Sequence, residues 1–146
     1  ASDPTLSASE KIGFPDTFRA GRSELILADI ESKLLALKLV GKRILDIGPG
    51  CGELAGSIIE RCRQRKHDLV LVDSREMLDQ ISDGPGITKW AGRFPNDVRD
   101  HLAGKFDAIL CYSVIQYMFA ERNIFSFLDH ALGLLADGGR LLIGDI

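Results

Sequence analysis

The residues best suited to chemistry lie in the stretch "RILDIGPGCGELA", Arg43 to Ala55. An acid, Asp46, sits inside a short apolar run. Gly48, Gly50 and Gly52 then follow on alternate positions, with Pro49 inside the turn. Glycine has no Cβ, so a ligand can approach the main chain there and the turn can take positive φ. A helix starting near Gly52 would aim free N–H groups and the positive end of its dipole at the same place. About twenty residues further on, "LVLVD" ends in a second acid, Asp73, at a spacing where a carboxylate can accept hydrogen bonds from ribose hydroxyls.

Different guests suit such a loop differently. From Gly50, "GCGELA" formally matches the dinucleotide pattern G-x-G-x-x-A, the mark of an NAD-type oxidoreductase, but such a match alone is weak evidence. An ionised Asp46 would oppose the two phosphates of a dinucleotide. It would favour the sulfonium and ammonium of S-adenosylmethionine. Asp73 serves either nucleotide. The plain alternatives are a tight turn without a ligand and an Asp73 that only caps the next helix.

Elements that could hold these residues alternate along the chain. A helix is expected from Ser23 to Val40, with Ser23 as N-cap, Leu27, Ile30, Leu34, Leu37 and Leu39 near helical spacing, and Gly41 as the stop. Short apolar runs at "RILDIG", "LVLVD", "ITKWAG", "FDAILCYS" and "RLLIGDI" are expected strands. Helical stretches are expected at Glu53–Lys66, Arg75–Ile81, Pro95–Ala103 and Glu121–Ala136. Strands alternating with helices imply right-handed crossovers and a parallel sheet covered on both faces. Residues 1–22, rich in Ser, Pro, Gly and Asp, are expected to form an N-terminal arm, and 23–146 the core.

From about Leu37 onward the motifs resemble, in order, those of class I S-adenosylmethionine-dependent methyltransferases. "ILDIGPGCG" looks like the first motif and "LVLVDSREML" the second. "ITKWAGRFP" falls at the third strand and adenine loop, "FDAILCYSVIQYM" at the fourth strand and its loop, and "LLADGGRLLIGDI" at the Gly-Gly turn and fifth strand. The resemblance implies a Rossmann-like α/β/α sandwich of strand order 3-2-1-4-5 and S-adenosyl-L-methionine as cofactor. It places Asp46, Gly48, Pro49, Gly50 and Gly52 around the methionine moiety and Asp73 at the ribose. Ser74 and Met77 would line the adenine side, Gly92, Arg93 and Phe94 the adenine loop, and Cys111, Tyr112 and Ser113 the region of the methyl group. In two respects this chain departs from the family. An acid often follows the adenine-loop glycine, where Arg93 offers no acceptor. The family's C-terminal antiparallel strands are absent from this chain, so a truncated protein, or a fifth-strand edge covered by a partner or second copy, is expected.

Methyl transfer from a sulfonium needs positioning and exclusion of water more than a strong base. No catalytic residue is therefore assigned. The loop "CYSVIQYM" lacks the Asn/Asp-Pro-Pro-aromatic sequence of enzymes that methylate DNA bases or glutamine, and resembles small-molecule methyltransferases instead. Gln116 and Tyr117 could face the acceptor. In the arm, Phe18 and Arg19 could fold over the cofactor, with Arg19 pairing with its carboxylate. Packing or solvation is the plainer account of these residues, and of His101 and His130. A non-catalytic nucleotide-binding or interaction domain of the same fold remains an alternative.

Composition sets the outer bounds. The 146 residues are 45% hydrophobic with a net charge of −3, which suits a soluble domain and gives no basic face for nucleic acid. Apolar runs such as "SELILADIESKLLALKLV" carry charges at helical intervals, so no membrane span is expected. The first residues lack a basic and an apolar region of signal-peptide type, which makes the cytoplasm the default compartment. Cys51, Cys62 and Cys111 have no paired ligand spacing, so free thiols and no metal are expected.

Overall fold

The computed structural model describes residues 21–112 and 124–144. Five strands, β1 (Arg43–Ile47), β2 (Asp68–Asp73), β3 (Ile87–Ala91), β4 (Phe106–Tyr112) and β5 (Leu135–Gly144), form one sheet in the order β3-β2-β1-β4-β5. Every pairing is parallel. The helices are α1 (Ser23–Lys33), α2 (Glu53–Gln64), α3 (Arg75–Leu78) and α4 (Ile124–Gly133). The expected architecture and strand order are those observed. No antiparallel strand follows β5 among the described residues.

The strands are apolar at consecutive positions because both faces are covered. Leu45, Ile47, Val70, Val72, Ile109 and Cys111 point to one side, where Phe127 and Ala131 of α4 close the core with Phe94, Val98 and Leu102. Ile44, Leu69, Leu71, Ala108 and Leu110 point to the other, under Leu27 and Ile30 of α1, Ile58 and Cys62 of α2 and Leu78 of α3. Asp46 shares the second face with Ile44, since alternate strand residues lie on the same side.

Several helix expectations need correction. The first helix stops at Leu34 (φ −107, ψ 78) and continues as a 3-10 turn over Leu35–Lys38. The tighter winding keeps both Leu34 and Leu37 buried. Ser23 is the buried first residue of α1, and Arg22 holds the cap position without a side-chain bond. The stretch from Pro95 to Ala103 is turns with a 3-10 segment at Arg99–His101, because Val98 and Leu102 anchor it to the core from a loop. The Gly-Gly turn lies inside β5. Leu135 pairs with Phe106, the register shifts, and Arg140 resumes opposite Ala108. A Cβ on Gly139 would fall 2.8 Å from the Phe106 carbonyl oxygen, so only glycine fits there.

The N-terminal ends of the strands are stapled together. The Lys42 N–H donates to His67 Nδ1 at 2.9 Å, while His67 Nε2 lies 3.3 Å from the Leu37 carbonyl. Arg43 donates from its backbone to Asp107 (2.8 Å) and from Nε to Asp68 (3.0 Å), with its guanidinium 4.4 Å above the Phe106 ring. Arg61 pairs with the buried Glu31 and joins α2 to α1. These contacts account for Arg61 and His67 in the run "ERCRQRKH". Among the described residues no helix is long and apolar enough to cross a membrane, and no group of His, Cys, Asp and Glu could hold a metal.

Candidate cofactor site

The C-terminal ends of β1, β2 and β3 meet at Asp73. One of its carboxylate oxygens accepts from the Gly50 N–H at 2.8 Å and the other from the Ser74 N–H at 2.7 Å. The Gly92 N–H donates to the Asp73 carbonyl at 2.9 Å, and the Gly48 N–H to the Val72 carbonyl at 2.8 Å. One residue thus sets the glycine loop, the start of α3 and the loop after β3. Each carboxylate oxygen keeps lone-pair capacity for a hydroxyl donor. Burial raises the Asp73 pKa, against the lowering effect of the Gly50 and Ser74 bonds.

The loop itself needs its glycines. Gly48 (φ +71) and Gly50 (φ +66) occupy the left-handed region that side chains disfavour. Gly52 is the extended N-cap of α2 and supplies no side-chain cap, so the first-turn N–H groups stay open to a ligand.

Asp46 is the exceptional group. It is 2% exposed and its carboxylate has no hydrogen-bond partner among the described residues. Burial first, and then the charge of Asp73, push its pKa up to about 8. A carboxyl buried in this way is satisfied only by a cation or by keeping its proton. The positive end of S-adenosylmethionine fits that requirement, and a pyrophosphate does not.

The other expected site residues divide by position. Ser74 caps α3, its Oγ accepting from the Met77 N–H at 3.3 Å, and the Met77 and Phe94 side chains are buried. Cys111 is fully buried in the core, so it can meet a ligand only through its main chain. Its thiol, like that of Cys62, is pushed up to about 12, chiefly by burial. Tyr112, at the end of β4, stacks against Gly144 so closely that a Cβ there would lie 2.3 Å from its ring. Gly92 and Arg93 follow β3, next to Asp73. Ser113, Gln116, Tyr117, Phe18 and Arg19 lie outside the described residues. One residue was not anticipated. Asp97 folds back so that its Oδ2 accepts from the Arg93 N–H at 2.9 Å. The signal was an acid four positions after Arg93 in "GRFPND".

A parallel sheet of this order, with acids near the ends of its first two strands beside a glycine loop, defines a doubly wound α/β fold, whose ligands bind at this end of the sheet. Comparison with known proteins narrows the class. The chain matches the family of methyltransferase domains over residues 45–141. It is 33% identical over 107 residues to the probable non-canonical nonribosomal peptide synthetase CymA of Salinispora arenicola, covering 72% of this chain and 1% of that protein. It is 32% identical over 108 residues to the chondramide synthase of Chondromyces crocatus, covering 72% of this chain and 3% of that one. The chain thus corresponds to a small part of either relative's length. Among solved structures, the plantazolicin methyltransferase BpumL, in complex with a desmethylPZN analog and SAH, has the same fold. Its TM-score is 0.66 at 23% identity, over 92% of this chain and 51% of that one. The chain belongs to the family of methyltransferase domains and shares its fold with BpumL. The dinucleotide match at Gly50–Ala55 is therefore incidental.

Proposed function

We propose that this domain transfers a methyl group in line from S-adenosylmethionine to a small-molecule acceptor, of the size of a short peptide or its building block. The observation that carries the reading is Asp46, a buried carboxylate with no partner among the described residues, beneath the glycine loop. The acceptor class draws support from the relatives. Two are named as a nonribosomal peptide synthetase and a chondramide synthase, and BpumL is named with a desmethylPZN analog.

When bound, the cofactor supplies a methyl group already activated by its sulfonium. What remains for the protein is position and charge. Asp46 provides the counter-charge for the cationic end, and Gly48 and Gly50 let the main chain close on it. Asp73 holds the ribose hydroxyls while fixing the Gly50 turn. The Cys62 and Cys111 thiols stay protonated and buried, which keeps them from competing as acceptors.

Calorimetric titration with S-adenosylhomocysteine, followed by mass spectrometry of amino-acid and short-peptide acceptors incubated with S-adenosylmethionine, tests the reading. Micromolar-scale binding and a mass gain of one methylene on an acceptor are expected. Absence of binding would end the cofactor assignment. Binding without transfer to any acceptor would point to a non-catalytic domain instead.

A further inference from the structure

At the end of the sheet away from the glycine loop lies a second concavity, of about 260 Å³. It opens between the 3-10 turn after α1 and the Gly-Gly turn inside β5. Leu35 and Leu39 line one wall and Asp137 and Arg140 the other, with Lys42 and Asp107 at the strand starts between them. Leu35 and Leu39 are 51% and 52% exposed, and the adjoining Val40 is 68% exposed. Single aliphatic side chains on a surface mean little, but a group of them beside a cavity marks a contact surface. The cavity is smaller than the roughly 300–1,000 Å³ usual for a whole small-molecule ligand, so it suits an inserted side chain better.

The charge next to this groove is one-sided. The Gly41 N–H donates to the Arg65 carbonyl at 2.9 Å, and the Arg65 guanidinium donates to the Lys38 carbonyl. These bonds clamp residues 38–42 to the end of α2 and gather Lys38, Lys42, Arg65 and Lys66 beside Leu39 and Val40. Among the described residues none of the four cations pairs with a carboxylate. The acids nearby are engaged elsewhere. Asp68 holds Arg43 Nε at 3.0 Å, Asp107 Oδ2 accepts from the Arg43 N–H at 2.8 Å, and Glu60 pairs with Arg63. Asp137 shares the opposite wall with Arg140, which leaves that wall neutral. The chain as a whole carries −3, so the positive excess is local.

We propose that this groove docks an acidic, aliphatic peptide segment presented by a neighbouring domain. An aliphatic side chain seats against Leu35 and Leu39, and the flanking carboxylates meet Lys42 and the cations beyond it. A flat membrane surface cannot enter a concavity of this size, and a nucleic-acid backbone would leave the leucines uncovered. The peptide-synthetase relatives extend far beyond the matched part, since this chain covers 1% and 3% of their lengths. A segment within one long polypeptide has an effective concentration on the order of millimolar, so an intrinsic Kd of about 0.1–1 mM is enough to hold it.

The test is fluorescence anisotropy of a labelled synthetic peptide, a Leu-Leu pair set between glutamates, titrated with the full chain. No cofactor is present, so the outcome is independent of the reading above. Saturable binding with a Kd of about 0.1–1 mM is expected at low salt, weakening about fivefold or more near 0.5 M salt as the charges are screened. Lysine in place of the peptide's glutamates, or serine in place of its leucines, should abolish binding. Lys42→Glu should weaken it about tenfold, and so should Leu35→Ser combined with Leu39→Ser. These variants alter solvent-facing side chains and keep the Lys42 N–H bond to His67, so their urea midpoints should match that of the unsubstituted protein. Failure of the acidic peptide to bind, equal binding of the lysine peptide, or unchanged affinity in both variants would overturn the proposal. Binding of phosphatidylserine vesicles without binding of the acidic peptide would overturn it too, and would assign the basic corner to a membrane.

Discussion

Replacing Asp46 by asparagine should stabilise the ligand-free chain while weakening its hold on the cofactor. In an unfolded chain this carboxyl releases its proton near pH 3.8. In the folded chain it holds the proton to about 8, because burial and then the Asp73 charge oppose ionisation. Between those values the unfolded state carries fewer protons than the native one. The group's contribution to stability is therefore complete below pH 3.8 and is lost progressively as pH rises to 8. At about 1.4 kcal/mol per pH unit the ceiling is about 6 kcal/mol. Local relaxation and water entry reduce this, and about 3 kcal/mol is expected at pH 8. An amide has nearly the same shape and no charge, so Asp46→Asn should recover most of that amount at pH 8 and almost none at pH 4. Urea unfolding from pH 4 to 8, followed by fluorescence of Trp90, the single tryptophan, measures the difference directly. The same variant should bind S-adenosylhomocysteine about tenfold or more weakly at pH 8, having lost the counter-charge for its ammonium. Parallel stability curves for the two proteins, or undiminished binding by the variant, would refute the reasoning.

Other substitutions probe the neighbouring parts. Asp73→Ala removes the acceptor for Gly50 and Ser74 as well as the ribose partner, so calorimetry should show at least a hundredfold loss of S-adenosylhomocysteine affinity. Gly92→Ala forces a Cβ to within 2.7 Å of Asp97 and should cost about 1–3 kcal/mol in urea unfolding, together with weaker binding. Phe127→Ala, opening a cavity between α4 and the sheet, should cost about 3–5 kcal/mol in urea unfolding and remove the ring that Phe94 meets edge-on at 5.3 Å. Ellman's reagent at pH 8 should label partly exposed Cys51 quickly. Cys62 and Cys111, buried and pushed up to about 12, should react only on unfolding.

What the chain discloses before folding depends on how locally each feature is determined. Strands such as Ile44–Ile47 and Leu69–Val72 are legible because burial on both faces demands unbroken apolar residues. Once the strands are placed, Asp46 and Asp73 fall at their ends by position alone. Helix limits are less legible. Leu34 and Leu37 suit an α-helix and a 3-10 turn equally, and the spacing of Val98 and Leu102 suits a helix as well as two anchors of a loop. The solitary state of Asp46 and the fold-back of Asp97 depend on contacts between distant segments or on turn geometry, which residue types do not encode. His67 sits in a basic run yet is buried between two main-chain groups. Only the completed end of the sheet reveals that.

Because every strand runs the same way, the sheet has two ends with separate duties. Arg43, His67 and Glu31 reinforce the protein away from the end where Asp46, Asp73 and Gly92 gather. Changes at such remote places act additively on stability and affinity. The domain can thus be hardened from its rear, or retuned at its mouth, with neither adjustment undoing the other.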